Sequence, residues 1–319
     1  MGSGTERTGA GAAGSARPTS IYVVGDVMLD VVVEVTAPFS HASDTPSVIT
    51  TSPGGAAANQ AVAMAHAGAI VAMVGVVGDD PLGEAASVVL AAEGVDVGLL
   101  SRTTRATGVV VALVEPDGQR SMLTDRGANL SLDVAMLEPL ATRLDAGSHV
   151  HVSGYCLLDD ESRAAGRYAL ALAREHGAST SVDASSAGPM RAAGPDCFLE
   201  WIAGVDYLFC NEQEGEVLTS LEDPSTIART LTSTAGEVVV TLGAAGALAA
   251  TRQGEQRRAP AAGDVVGDTI GAGDSFTAAY LVRRLRGEGI SDALAGAISA
   301  GGLAVTSRGA RGWTRYSRE

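Results

Sequence analysis

Cysteine is scarce in this chain of 319 residues, which contains three widely spaced examples, Cys156, Cys197 and Cys210. Three scattered thiols exclude a disulfide framework and a zinc knuckle, and they are typical of reduced core cysteines in a cytoplasmic protein. The five histidines have no metal-ligand spacing either. His149 and His151 lie two residues apart on one predicted strand, and we interpret that pair as structural.

Aromatic residues, basic residues and long apolar runs are also scarce. Aromatic residues make up 4% of the chain and hydrophobic residues 46%, so the core is predicted to consist of Val, Leu, Ala and Ile. No apolar run reaches the roughly 20 uninterrupted residues of a membrane-spanning helix. The net charge of −15 argues against nucleic acid or an anionic membrane as the partner. Small anions are not excluded, because a local group of backbone amides can bind one.

Residues 1–19 are rich in Gly, Ala, Ser and Thr and have no apolar segment like that of a signal peptide. We predict a flexible tail there, followed by one domain over residues 20–316. Within this domain, β-branched runs alternate with helical patterns. The alternation predicts an α/β fold with a doubly wound, mainly parallel sheet that has helices on both faces.

Two extended regions, at about 31–52 and 108–127, do not fit the alternation. In the second region, two strand-like runs flank the segment Glu115-Pro116-Asp117-Gly118, which predicts a hairpin. We predict that both regions form a small β-sheet that projects from the main domain as a lid. Exposed strand edges invite pairing with another chain, so the lid suggests a homodimer, and a monomer is the alternative.

The most informative stretch is DTIGAGDSF, residues 268–276. Gly271, Ala272 and Gly273 precede a helix that is predicted to begin at about Asp274. Unpaired amides at the start of a helix bind anions such as a transferring phosphoryl group. Asp274 can accept a proton from a hydroxyl nucleophile beside that group. The alternative is that Asp274 only caps the helix, as Asp often does.

DTIGAGDSF resembles, at every fixed position, the signature D-T-x-G-A-G-D-x-F of the PfkB (ribokinase-like) family of sugar and nucleoside kinases. The resemblance extends over about residues 21–313, and its further motifs are PGGAAANQA (53–61), NEQE (211–214), TLGAAGAL (241–248) and GGLAVTSRGA (301–310). It implies a phosphotransferase that uses ATP and Mg²⁺ and acts on an alcohol group.

The resemblance also implies a role for each matching residue. Asp274 is the general base, and its amide and those of Gly271, Ala272 and Gly273 form the anion hole. The residues that would bind the acceptor together with Asp274 are Asp30, Gly54, Gly55 and Asn59. The residues that would bind the nucleotide together with Gly273 are Asn211, Glu214, Thr241, Gly243 and Gly246. The residues that would hold metal ions are Asn211 and Glu214 for Mg²⁺ through water, and Asp268 and Ile270 for K⁺ in members that use it.

Departures from the ribokinase pattern concern the acceptor. Met28 and Asp183 each stand in place of an Asn, Ala56 stands in place of a Lys, and HVSGY (151–155) lacks a Glu. We predict phosphorylation of a primary hydroxyl of a small sugar, with a ribose-like pentose favoured. Alternative acceptors are fructose, 2-keto-3-deoxygluconate, adenosine and pseudouridine.

Two functions from other classes fit the sequence less well. A non-catalytic sugar or nucleotide sensor on the same fold would be favoured by loss of Asp274 or of the glycines before it, and both are present. A Rossmann-type dehydrogenase needs G-x-G-x-x-G after the first strand, and GDVMLD at that place lacks it.

Overall fold

The computed structural model describes residues 19–36, 40–115, 120–261 and 271–305. The predicted tail lies outside the described residues except for Thr19. Residues 116–118 of the predicted hairpin turn and the predicted K⁺-site residues Asp268 and Ile270 also lie outside them. No helix among the described residues is long and apolar enough to cross a membrane.

Thirteen strands form two sheets within the described residues. In chain order they are β1 (Ser20–Val24), β2 (Met28–Val35), β3 (Ser47–Gly54), β4 (Ile70–Gly78), β5 (Val95–Thr103), β6 (Gly108–Val114), β7 (Arg120–Asp125), β8 (His149–Ser153), β9 (Ser179–Asp183), β10 (Val205–Asn211), β11 (Ala235–Thr241), β12 (Ala247–Thr251) and β13 (Gln256–Ala259). The larger sheet has the order β13-β12-β11-β10-β9-β8-β1-β4-β5. Its first two strands are antiparallel to their neighbours and the other seven are parallel.

Helices cover both faces of the larger sheet. They are α1 (Ala56–His66), α2 (Pro81–Ala92), α3 (Glu138–Ala141), α4 (Gly154–Leu158), α5 (Arg163–Glu175), α6 (Ala187–Ala193), α7 (Pro195–Trp201), α8 (Glu212–Thr219), α9 (Pro224–Leu231), α10 (Ala272–Leu285) and α11 (Ile290–Ala304). The core on one face includes residues of α1, α2, α10 and α11, and the core on the other includes residues of α5 and α9. The predicted doubly wound α/β sheet is therefore confirmed.

Burial on both faces explains why the central strands have continuous apolar runs rather than alternating ones. In β4, the segment IVAMVGVVG is buried at every position after Ile70. By contrast, β5 is buried only at Val95 and Leu99, because it lies at the edge of the sheet. The strand β5 was not predicted from the sequence.

The smaller sheet is the predicted lid, with the strand order β3-β2-β6-β7. The pairing of β6 with β7 is antiparallel, as the predicted hairpin requires, whereas β2 and β6 are parallel. The lid strands begin at Met28 and end at Gly54 in the first region, so the sheet is slightly longer than the predicted 31–52. This register places Asp30 opposite Val110 on the face of the lid that is turned toward the larger sheet's strand ends.

A buried ion pair ties α10 to the larger sheet. Glu237 of β11 is 5% exposed, and it accepts hydrogen bonds from the Tyr280 hydroxyl at 2.7 Å and from Arg284 Nε and Nη2 at 2.9 and 2.8 Å. Both donors lie on α10, the helix that begins within DTIGAGDSF. Glu237 therefore helps to hold the position of that helix.

Replacement of Glu237 by alanine is expected to lower the free energy of unfolding by about 3 kcal/mol, because Arg284 and Tyr280 lose their buried acceptor. Urea denaturation measures the change. Glu255→Ala is the control, since Glu255 pairs with Arg257 at an exposed site and such pairs contribute about 0–1 kcal/mol. Equal losses in the two variants would contradict the anchoring role of Glu237.

Candidate active site

Five adjacent parallel strands, β1, β8, β9, β10 and β11, end at the same edge of the larger sheet. The order of the strands in the sheet changes direction at β1, because β4 lies on one side of it and β8 on the other. Ligands of open α/β sheets bind at such a point, beyond the carboxyl ends of the strands. A cavity of about 970 Å³ lies there, lined by these strand ends, by α1 and α10, and by the lid residues Val110, Met122 and Thr124.

The start of α10 forms part of the cavity wall. Gly271 precedes the helix with a φ of 77°, a left-handed conformation that glycine adopts without strain, and the helix begins at Ala272. The prediction that it begins at about Asp274 was therefore wrong by two residues. Asp274 is the third helical residue, and the N-cap residue is Gly271, which has no side chain to cap the helix. The interpretation of Asp274 as a simple N-cap is excluded.

The first turn of α10 is partly exposed, and Gly273 is its most exposed residue. Gly271, Gly273 and Asp274 line the cavity, and among the described residues no atom beyond the neighbouring residues and the helix's own backbone lies within 4 Å of the position that a Gly273 Cβ would occupy. The first amides of a helix have no partner inside the helix and carry its positive dipole end. The arrangement is suited to an anion beside Asp274.

Two consecutive amide side chains of α1 bind carboxylates of the cavity wall. Asn59 Nδ2 donates a hydrogen bond to Asp274 Oδ2 at 3.1 Å, and Gln60 Nε2 donates one to Asp183 Oδ2 at 3.2 Å. Thr277, one turn after Asp274 on α10, donates to the same oxygen of Asp183 at 3.3 Å. These contacts place Asp274 and Asp183 side by side.

The lid side of the cavity carries the predicted acceptor residues. Asp30 and Gly55 line the cavity, whereas Gly54 does not. A Cβ at Gly54 would lie 2.0 Å from Asp30 Oδ1, so glycine there leaves room for the carboxylate. Gly55 precedes α1 with a φ of 91°, and a Cβ there would lie 2.4 Å from the Asp26 carbonyl oxygen.

A buried ion pair joins the lid to the main domain. Arg126, directly after β7, donates to Asp26 through Nε at 3.0 Å and through Nη2 at 2.7 Å. Its Nη1 lies 3.3 Å from Asp159 Oδ2. All three side chains line the cavity, and Asp26 is 3% exposed. The guanidinium is thus already occupied by two carboxylates.

Asn211 and Glu214 also line the cavity. They make a capping box at the start of α8, in which Asn211 Oδ1 accepts from the Glu214 amide at 2.8 Å and Glu214 Oε2 accepts from the Asn211 amide at 2.9 Å. Burial, and then the nearby Asp183 carboxylate, raise the pKa of Glu214 to about 7. Burial also raises the pKa of Asp183. Two carboxyl groups are therefore held together in a place where one negative charge disfavours the other.

The predicted nucleotide residues after β11 are only partly in the cavity. Thr241 lines it, whereas Gly243 and Gly246 do not. Gly246 has a φ of 93°, and a Cβ there would lie 2.0 Å from the carbonyl oxygen of Ala259 in β13. The backbone that comes close to Gly246 is therefore that of the protein's own strand β13.

No site role was predicted for Asp26, Arg126, Gln60 or Thr277, and Asp183 was predicted only as a departure from the ribokinase pattern at the acceptor site. Asp26 and Asp183 had a visible signal, because each follows a β-branched run at the end of a strand. The contacts of Arg126 and Gln60 could not be predicted from the sequence, since their partners are about 100 residues away along the chain. Only the folded topology brings them into contact.

The chain matches the family model described as pfkB family carbohydrate kinase over residues 18–315. It is 32% identical over 305 residues to the fructokinase of Klebsiella pneumoniae, which covers 91% of this chain and 94% of that protein. The solved structure of adenosine kinase from Sinorhizobium meliloti matches with a TM-score of 0.80 at 26% identity, covering 95% of this chain and 99% of the other. Arabidopsis thaliana ribokinase, solved with ribose and ATP, matches with a TM-score of 0.78 at 24% identity, covering 92% and 94%.

Proposed function

The chain belongs to the pfkB family of carbohydrate kinases, and from that premise we propose that it transfers the γ-phosphoryl group of ATP to a primary hydroxyl of a small uncharged sugar, with a ribose-like pentose as the favoured acceptor. The observation that carries the proposal is the position of Asp274. Its carboxylate shares one cavity with Asp30 of the lid and with Glu214 of α8, and it lies in the first turn of α10, next to the exposed Gly273.

The reaction follows from this position. The acceptor binds between the lid and Asp274, and Asp274 takes the proton of its hydroxyl as the oxygen attacks the γ-phosphorus in line. Asn59 holds one carboxylate oxygen of Asp274 and so fixes its orientation. The amides at the start of α10 stabilise the charge that spreads over the phosphoryl oxygens.

The residues at the nucleotide end fit a magnesium ion. Burial raises the pKa of both carboxyl groups, Glu214 and Asp183, and the Asp183 carboxylate raises the pKa of Glu214 further, so a divalent cation would relieve their repulsion. Oxygen donors are the ligands that Mg²⁺ prefers, and it usually keeps part of its water shell. Asn211 and Glu214 would hold the ion through water, and the bound ion would neutralise charge on the transferring phosphates.

The charge of the cavity supports a neutral acceptor. Its charged lining side chains, among the described residues, are Asp26, Asp30, Asp125, Arg126, Asp159, Asp183, Glu214 and Asp274. Arg126 is already paired with two of these carboxylates, and the chain contains no lysine. The hydroxyls of a neutral sugar can donate hydrogen bonds to carboxylates, whereas the acid group of 2-keto-3-deoxygluconate would be repelled.

An ADP-release assay over a panel of acceptors tests the proposal. We expect the highest kcat/KM with ribose or another neutral acceptor from fructose, adenosine and pseudouridine. We expect values lower by about a hundredfold or more with 2-keto-3-deoxygluconate and fructose 6-phosphate, because like charges are brought together. A preference for an anionic acceptor would contradict the neutral-sugar proposal, and turnover with none of them would favour the sensor. Repeating the assay with and without K⁺ tests the proposed site at Asp268 and Ile270.

The lid also supports the proposal of a homodimer. The strand register puts Val31 and Val33 of β2, Ile49 of β3 and Leu123 of β7 on the face opposite to Asp30. Ile49 and Leu123 are 62% and 60% exposed. A second copy of the chain, related by a two-fold axis, would cover this apolar face with its own.

Sedimentation velocity tests the dimer. We expect the wild type to sediment as a dimer and Ile49→Glu to sediment as a monomer, because the charge is placed in the proposed interface. Val88→Glu is the control, since Val88 is 58% exposed on α2 and is not part of the lid sheet. A wild type that remains monomeric at every concentration tested would contradict the proposal.

A further inference from the structure

A chain of buried polar side chains runs from the interior of the larger sheet to the cavity. It connects His149 and His151 of β8 through Ser179 and Ser181 of β9, and then through Gln60 of α1. His149, His151, Ser181 and Gln60 are each 0% exposed. The last link is the hydrogen bond from Gln60 to Asp183 at the cavity wall.

The sheet register creates this chain. Because β8 and β9 are parallel neighbours, His149 lies beside Ser179 and His151 beside Ser181. Ser181 Oγ is 2.7 Å from His149 Nε2 and 2.7 Å from His151 Nδ1, so it bridges the two rings. His151 Nε2 is 2.8 Å from Gln60 Oε1.

The direction of every hydrogen bond near the cavity follows from the chemistry of its partners. The Asp183 carboxylate accepts hydrogen bonds, so Gln60 presents Nε2 to it and Oε1 to His151. Because Oε1 can only accept, His151 Nε2 carries the ring proton. Burial lowers the pKa of His151 to about 3, so the ring is neutral and its Nδ1 accepts from the Ser181 hydroxyl.

The same reasoning continues to the far end of the chain. The Ser181 hydroxyl has one proton, which it donates to His151, so its oxygen accepts from His149 Nε2–H. Burial, with the neighbouring His151, also lowers the pKa of His149. His149 is therefore neutral as well, and its Nδ1 accepts from the Ser179 hydroxyl. All five donors in the chain thus point toward Asp183.

We propose that His151 is a positioning residue for phosphoryl transfer, because its Nε2–H holds the Gln60 amide in the one orientation that donates a hydrogen bond to Asp183. Without that contact the amide can turn over and present its oxygen to the carboxylate, which would move Asp183. Asp183 accepts a hydrogen bond from Thr277, which lies near the start of α10. Gln60 directly follows Asn59, which donates a hydrogen bond to Asp274. Movement of Asp183 therefore disturbs the reacting centre rather than the lid side, where the acceptor ring binds.

The effect on kinetics rests on the proposed kinase function, whereas the direction of the hydrogen bonds does not. A pair of variants with matched shapes separates positioning from packing. Gln and Met are unbranched side chains of similar length and volume, but only Gln can donate a hydrogen bond to Gln60 Oε1. A role limited to filling space would give the same result for His151→Gln and His151→Met.

We expect His151→Met to lower kcat roughly tenfold or more, because small displacements at a reacting centre reduce the rate strongly. The KM for the acceptor is expected to stay within about twofold, and His151→Gln is expected to recover most of kcat. Equal losses in both variants, or an unchanged kcat in His151→Met, would overturn the proposal.

Nuclear magnetic resonance gives a second readout that needs no turnover and no variant. Long-range proton–nitrogen correlations of the wild-type imidazole rings identify the protonated nitrogen. We expect both buried histidines to be neutral with the proton on Nε2 throughout the neutral pH range. A charged ring or a proton on Nδ1 of His151 would overturn the proposal even if the protein is an active kinase. If the spectrum is as expected but the protein phosphorylates none of the acceptors, the kinase function would be rejected and the orientation of Gln60 would still be established.

Discussion

Replacement of Asp274 by asparagine is expected to lower kcat by about a thousandfold, because the amide has the shape of the carboxylate but cannot accept the proton of the acceptor hydroxyl. An asparagine oxygen can still accept the hydrogen bond from Asn59, so the side chain should remain in place. Nucleotide affinity should change little, since the amides at the start of α10 and Glu214 are retained. Steady-state kinetics and calorimetric titration with ATP measure the two effects.

Asp292→Asn is the matched control for this variant. Asp292 is the third residue of α11, the position that Asp274 has in α10, but it is exposed and does not line the cavity. Any general effect of removing a charge from a first helical turn would therefore occur in both variants. Activity close to that of the wild type in Asp274→Asn would show that Asp274 is not the general base.

Glu214→Gln is expected to increase stability at alkaline pH while it reduces activity. The pKa of Glu214 rises from 4.5 in the unfolded chain to about 7 in the folded protein. The folded state therefore binds the proton more tightly, and the stabilisation from that proton is lost as the pH rises through 7. Glutamine has no charge to lose and can still accept the hydrogen bond of the capping box.

The difference in unfolding free energy between Glu214→Gln and the wild type should therefore grow by on the order of 2 kcal/mol between pH 5 and pH 8, in favour of the variant. Addition of Mg²⁺ should stabilise the wild type more than the variant, and kcat of the variant should fall about a hundredfold. Urea denaturation at both pH values gives the first result. Glu212→Gln, at an exposed position in the same first turn, is the control. A pH-independent difference would contradict the proposed burial of charge at Glu214.

The parallel sheet and the lid could be predicted from the sequence because their signals are local. Runs such as SIYVV and IVAMVGVVG are apolar on both faces, which only a strand covered by helices on both sides requires. The start of α10 was misplaced because Gly271 and Ala272 look like a linker. In the folded chain the left-handed φ of Gly271 begins the helix, and only the backbone geometry reveals that.

Other parts depend on contacts that a single sequence does not contain. The edge strand β5 is buried at only two positions, so its apolar signal is weak. The pair His149 and His151 was interpreted from the sequence as structural, and both rings are buried, but their link to Asp183 requires the register of β8 on β9 and the packing of α1. The ion pair between Asp26 and Arg126 requires the lid to fold back onto β1.

The charge of the acceptor site is another feature that could not be predicted from the sequence alone. The sequence shows that the chain is acidic and that it contains no lysine, yet an acidic protein can still place arginines in a binding site. The structure places Arg126 in the cavity and pairs it with Asp26 and Asp159. Because Arg126 is paired in this way, the structure supports a neutral acceptor among the sugars, nucleosides and sugar acids that the sequence left open.

The most direct test of the central claim is the proton-coupled phosphorus-31 spectrum of the product formed from ATP and the best neutral acceptor of the panel. A phosphate on a primary hydroxyl couples to both protons of a CH₂ group and gives a triplet, whereas a phosphate on a carbon with one proton gives a doublet. We predict a new triplet with the wild type and no new signal in the same time with Asp274→Asn. A doublet, or release of inorganic phosphate without a new phosphate ester, would contradict the account.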